Sequence, residues 1–164
     1  MWDEAFFPLA TGRWSRHDPA AVAVVGSLTK LFACPGLRFG YVIAEPDLIR
    51  QLEARQPHWA VGSLELALLP ELLAQADLIG WSEKIAVLRT QLVALLTRHG
   101  VTSRPSDANF LLCDAPPGFR DKLLGQGIVV RDCTSFGLPD QVRLAVPDYE
   151  GIERLSAALD ALTP

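Results

Sequence analysis

Lys30 lies in the run Ser27-Leu28-Thr29-Lys30, and Arg38 follows eight residues later in Pro35-Gly36-Leu37-Arg38-Phe39-Gly40-Tyr41. An amine able to form a Schiff base, two hydroxyls and a guanidinium therefore fall close together in sequence. That set suits pyridoxal 5'-phosphate (PLP): the lysine takes the aldehyde carbon as an imine, while Ser27, Thr29 and Arg38 hold the phosphate. Lys30 follows Ala21 to Gly26, a short alanine- and valine-rich run that reads as a buried parallel strand. The carboxyl end of such a strand is where open α/β sheets place ligands.

The rest of the chain must position these groups. Residues 8 to 20, with Pro8, Gly12 and Pro19, read as loop. Phe39 to Ala44 reads as a second strand and Asp47 to Arg55 as a short helix. Ser63 is expected to cap a long leucine-rich helix kinked at Pro70, with helical periodicity resuming from Trp81 and ending at Gly100. Strands are expected at Asn109 to Cys113, Ile128 to Arg131 and Val142 to Val146, with a helix over Gly118 to Gly125. Asp148 to Leu162 has Ile152, Leu155, Leu159 and Leu162 on one helical face. The fold class is α/β. Residues 1–45 read as pieces of a parallel sheet, 46–80 as connecting helices, and 81–164 as a small α/β domain.

The 164 residues are 49% hydrophobic and 21% charged, with a net charge of −4. This composition is that of a globular protein and gives no global reason for nucleic-acid binding. No apolar run approaches membrane-spanning length. Cys34, Cys113 and Cys133 are widely spaced and show no zinc pattern, so they read as reduced thiols of a cytoplasmic protein. His17, His58 and His99 read as exposed.

Asp3-Glu4-Ala5-Phe6 resembles the Asp-Glu-Ala-aromatic motif of fold-type I PLP enzymes, the class I/II aminotransferase superfamily, and the Lys30 stretch resembles that superfamily's lysine motif. The resemblance implies that Lys30 is the catalytic residue and that Asp3 sits against the pyridine nitrogen to keep it protonated. It also implies that Arg143 clamps the substrate carboxylate. Arg131 matches an arginine that takes phosphate-bearing substrates in the branch containing histidinol-phosphate aminotransferase and threonine-phosphate decarboxylase. Phe6 stands where many members have tyrosine; without a hydroxyl it can only pack against the cofactor. Phenylalanine there is typical of the threonine-phosphate decarboxylases of cobalamin synthesis. Pro57-His58-Trp59-Ala60-Val61 resembles a segment of the same branch, with Trp59 expected to pack near the domain junction.

Family chains begin well upstream, so the resemblance implies the C-terminal portion of such an enzyme, with residues 1–45 the C-terminal piece of its PLP-binding large domain and 81–164 its small C-terminal domain. The implied activity is that of a PLP-dependent lyase, decarboxylating L-threonine O-3-phosphate to aminopropanol phosphate. Histidinol-phosphate or another amino-acid aminotransferase is the alternative. A different class of reading is a silent fragment, or a subunit that needs an N-terminal partner. The expected partners are a small phosphorylated amino acid and, from the family, a second copy in a homodimer, with neither nucleic acid nor membrane.

Overall fold

The structure is a computed structural model and describes residues 1–14, 18 and 20–162. The chain forms two compact units, Met1–Ser82 and Glu83–Pro164.

The first unit is built on a three-stranded sheet, in the order β1 (Trp2–Asp3), β2 (Val24–Gly26), β3 (Tyr41–Ile43). β1 runs parallel to β2, with Asp3 opposite Val25, and β3 runs antiparallel to β2, with Gly26 opposite Tyr41. The sheet is therefore mixed, not purely parallel as expected. The chain between β2 and β3 turns back on itself through the short helix α2 (Leu28–Leu31), so β3 returns in the opposite direction. Side chains alternate across the pleat. One face takes Asp3, Val25 and Val42; the other takes Glu4, Val24 and Tyr41. The second face is covered at its centre, where Val24 is 0% and Glu4 1% exposed, while Trp2 and Ile43 on the same face stay exposed.

The expected loop over residues 8–20 contains a helix, α1 (Phe7–Thr11). Its ends carry the signals of a short helix: Pro8 in the first turn and Gly12 beyond the last residue, in the left-handed conformation at φ 67°. Pro19, in the same stretch, lies outside the described residues, as does His17. α3 (Pro46–Glu53) and α4 (Ser63–Ala74) follow. Gly62, not Ser63, occupies the N-cap position of α4, and Ser63 is its first helical residue. Pro70 sits within α4. Neither α3 nor α4 has a buried residue, and Leu64 and Leu66 are 59% and 61% exposed. An apolar groove of about 620 Å³ is lined by Val25, Val42, Ile49 and Leu52, among others.

α5 (Leu78–Arg98) leads into the second unit and ends in a Schellman motif. There the Val101 amide donates to Leu96 O at 2.9 Å and the Gly100 amide to Thr97 O at 3.0 Å, with Gly100 at φ 73°. The second sheet is antiparallel, in the order β4 (Phe110–Asp114), β6 (Gln141–Ala145), β5 (Arg131–Asp132). β5 is shorter than the expected Ile128 to Arg131 and shifted toward the C-terminus: Val130 is buried beside the core but Val129 is 82% exposed, and pairing with β6 begins only at Arg131. α6 (Phe119–Gly125) and α7 (Tyr149–Leu162) complete the unit. Leu92, Leu95 and Leu96 of α5 meet Leu111 and Cys113 of β4, Leu123 of α6, and Leu155 and Leu159 of α7 in one core. Ile152 and Leu162 pack at its margin, so the apolar face of α7 points inward as its periodicity predicts. Among the described residues, no helix is long and apolar enough to cross a membrane.

Candidate active site

The first unit gathers three separate segments. Asp3 ends β1, exposed, and its Oδ1 accepts the Ala5 amide at 2.9 Å. This local turn, with Phe7 N donating to Glu4 O at 3.0 Å, carries the chain from the strand to Phe6. Lys30 sits on α2 with an exposed side chain, its Nζ 4.7 Å from the centre of the Phe6 ring. The tertiary structure thus brings the amine to the segment that begins at Asp3. Phe6 does more than pack: its ring face is a weak electrostatic seat for an ammonium.

Arg38 comes to the same region through Thr29. The Thr29 amide donates to Phe39 O at 3.2 Å, and its Oγ1 donates to Leu37 O at 2.7 Å. Arg38 is exposed; its Nη1 donates to Pro35 O at 3.3 Å, and its amide reaches Glu65 Oε1 at 3.4 Å. The Glu65 contact has no counterpart in sequence spacing. Ser27 occupies the N-cap position of α2 but spends no side-chain hydrogen bond on capping, which leaves its hydroxyl for another acceptor.

Two glycines let these segments meet. A Cβ at Gly26 would fall within the Tyr41 ring, and one at Gly40 would lie 2.5 Å from Gly26 O. Beneath the site lies a carboxylate not singled out from the sequence, Glu4, on the buried face opposite Asp3. Strand alternation after Asp3 is the signal that could have found it. Burial, and secondarily the Glu4 charge, push the Tyr41 phenol above its usual value.

Arg131 and Arg143 belong to the second unit, where they are direct cross-strand neighbours on β5 and β6. Like charges opposite each other on a sheet cost about 0.2–1 kcal/mol. Each guanidinium rests against a ring: Arg131 Cζ is 5.2 Å from the centre of Phe136, and Arg143 Cζ is 5.0 Å from that of Phe110. Asp132 does not turn to the arginines as its chief partner; its Oδ1 accepts the Thr134 amide at 2.8 Å. The amide and hydroxyl of Thr134 hold its carboxyl below the usual range, with Arg120 and Arg131 adding less.

Two expectations for side chains near the motifs are corrected. Trp59 does not pack: it is 95% exposed, in the left-handed region at φ 62°, within a stretch where every residue from 50 to 60 is exposed. His99 is not an exposed surface residue. Its side chain is 9% exposed and its Nε2 lies 3.3 Å from Asp160 Oδ1, because the last turn of α5 faces α7.

The residues of the first unit have the chemistry PLP requires. There is an exposed primary amine, a carboxylate one short turn before the ring that contacts that amine, an unspent hydroxyl at Ser27 and an exposed guanidinium at Arg38. Thr29 fits less well, since its proton is already directed at a carbonyl.

Comparison with known proteins agrees with this chemistry. The chain is 33% identical over 152 residues to histidinol-phosphate aminotransferase of Symbiobacterium thermophilum, a match covering 88% of this chain and 41% of that protein. It is 31% identical to a protein of Caldanaerobacter subterraneus provisionally named a threonine-phosphate decarboxylase, over 90% of this chain and 42% of the other. The crystal structure of histidinol-phosphate aminotransferase from Clostridium acetobutylicum superposes with a TM-score of 0.84 at 27% identity, covering 98% of this chain and 52% of that one. The chain thus spans about two fifths of the length of these relatives and about half of that structure. The family model for aminotransferase class I and II matches residues 1–159, and the chain belongs to that PLP-dependent family.

Proposed function

We propose that this chain provides the lysine-bearing and arginine-bearing parts of a PLP-dependent enzyme acting on an amino acid that carries a phosphate, with L-threonine O-3-phosphate decarboxylated to aminopropanol phosphate. One observation carries the choice: Arg131 directly opposite Arg143. Two adjacent guanidinium groups, each on an aromatic ring, suit a substrate with two anionic groups, and threonine phosphate bears a carboxylate and a phosphate on one small molecule. The relative provisionally named a threonine-phosphate decarboxylase supports the same reading.

Bound PLP supplies a ring that accepts the electrons of the bond broken at the substrate α-carbon. Other roles would fall to residues of this chain. Asp3 holds a proton at the pyridine nitrogen, and Ser27 and Arg38 hold the phosphate. Lys30 Nζ, seated over Phe6, would be the residue that holds the cofactor's aldehyde carbon. In the second unit, Arg143 would take the substrate carboxylate and Arg131 its phosphate.

Transamination of histidinol phosphate is the second reading, favoured by the 33% identical relative. Carbon dioxide release from threonine phosphate, measured beside keto-acid-dependent transamination, separates the two. Transamination without carbon dioxide release would end the decarboxylase reading. A further reading concerns partners. The exposed leucines of α4 and the exposed Val42 and Ile43 of edge strand β3 favour a polypeptide that covers them, resembling the half of the relatives not matched here. Titration of the purified chain with PLP, with and without such a half supplied, tests it: yellow absorbance that is equal in both rejects the need for a partner. A reducing compartment such as the cytoplasm is the proposed location, a reading that the free thiols Cys34, Cys113 and Cys133 support.

A further inference from the structure

We propose that Thr29 is a positioning residue that ties the Lys30 turn to the Arg38 segment, and that it does not donate to the cofactor phosphate. Its hydroxyl has a single proton, and that proton lies between two carbonyls: Oγ1 is 2.7 Å from Leu37 O and 3.1 Å from Phe39 O. Phosphate oxygens at neutral pH accept hydrogen bonds, so the same proton cannot serve them too. The oxygen also accepts the Phe39 amide at 3.3 Å. The backbone repeats the connection, with Thr29 N donating to Phe39 O at 3.2 Å and Cys34 N to Thr29 O at 3.0 Å.

These bonds close the loop from 29 to 39 at a single residue. Lys30 is the next residue along the chain, and Arg38 lies between the two residues whose carbonyls Thr29 holds. The clamp therefore sets the separation between the amine and the guanidinium. The hydroxyl of Ser27 is not used for capping and is the one available to a phosphate.

The experiment compares Thr29→Val, which removes the hydroxyl at nearly constant shape, with Thr29→Ser, which keeps it. In the cofactor-free protein, amide exchange at Phe39 should rise about five-fold in Thr29→Val, the size expected for one neutral hydrogen bond, and stay near wild type in Thr29→Ser. The second arm rests on the PLP reading above. PLP and unphosphorylated pyridoxal are titrated by absorbance, and the clamp predicts that Thr29→Val weakens both by the same factor while Thr29→Ser restores both. Unchanged Phe39 exchange, or a loss confined to PLP with pyridoxal binding intact, overturns the proposal. Wild-type protein that binds neither compound, alone or with the unmatched half of the relatives supplied, would count against the PLP reading, while the exchange arm still decides the role of Thr29. Thr29→Ala gives the same readout should Thr29→Val fail to fold.

Discussion

Gly26 is where a single methyl group should report on the construction of the site. It sits on β2, immediately before Ser27, and a Cβ built there lands on Cζ, Cε1 and Oη of Tyr41 across the antiparallel pair. In Gly26→Ala the backbone must give or the Tyr41 ring must leave. Strained accommodation of an added methyl costs about 1–3 kcal/mol. Departure of the ring forfeits its edge-on contact with Trp14, at 6.4 Å between centroids and 71° between planes, worth about 0.5–1.5 kcal/mol. The two routes are alternatives, so a loss of about 1–3 kcal/mol follows. Urea unfolding of wild type, Gly26→Ala, Tyr41→Ala and the double variant measures it. If the clash is with this ring, the double variant is no less stable than Tyr41→Ala alone, and the coupling is about 2 kcal/mol. Additive losses, with coupling under about 0.5 kcal/mol, would refute the assignment and place the strain elsewhere in the sheet.

Arg131→Gln relieves a like-charge pair worth about 0.2–1 kcal/mol and loses a ring contact of about 0.5 kcal/mol, so stability without phosphate should move by less than about 0.5 kcal/mol. Inorganic phosphate at matched ionic strength should raise the wild-type melting temperature more than that of the variant. Burial, then the neighbouring Asp114 and Cys133 charges, push the Cys113 thiol up from 9.0 to about 11. The unfolded thiol ionises first, so the contribution is intact below pH 9.0, is lost as pH rises to about 11, and amounts to about 3 kcal/mol. The difference in pH slope between wild type and Cys113→Ala over that window checks it. Leu92 is 0% exposed at the centre of the second core, and Leu92→Ala should cost about 2–5 kcal/mol in urea unfolding. Gly100→Ala, at φ 73° in the Schellman motif, should cost about 1–2 kcal/mol by the same measurement.

The types of residue proposed to do the chemistry were legible from the chain alone. Lys30, Ser27 and Arg38 are recognisable because a Schiff-base amine and phosphate donors are rare neighbours after an apolar strand, and Asp3 because its motif precedes them. Helical periodicity likewise marked the inward face of α7, where Leu155 and Leu159 are buried. What only tertiary structure decided are the relations that depend on which backbone groups meet. Those decided the direction of β3, the helix at Phe7–Thr11, the exposure of Trp59 and the pairing of Arg131 with Arg143. They also decided the use of the Thr29 hydroxyl, since a side-chain proton goes to the nearest acceptor and the carbonyls of Leu37 and Phe39 reach it only after the loop has closed. Local spacing sets what a residue can do; the fold sets which of its bonds are already spent.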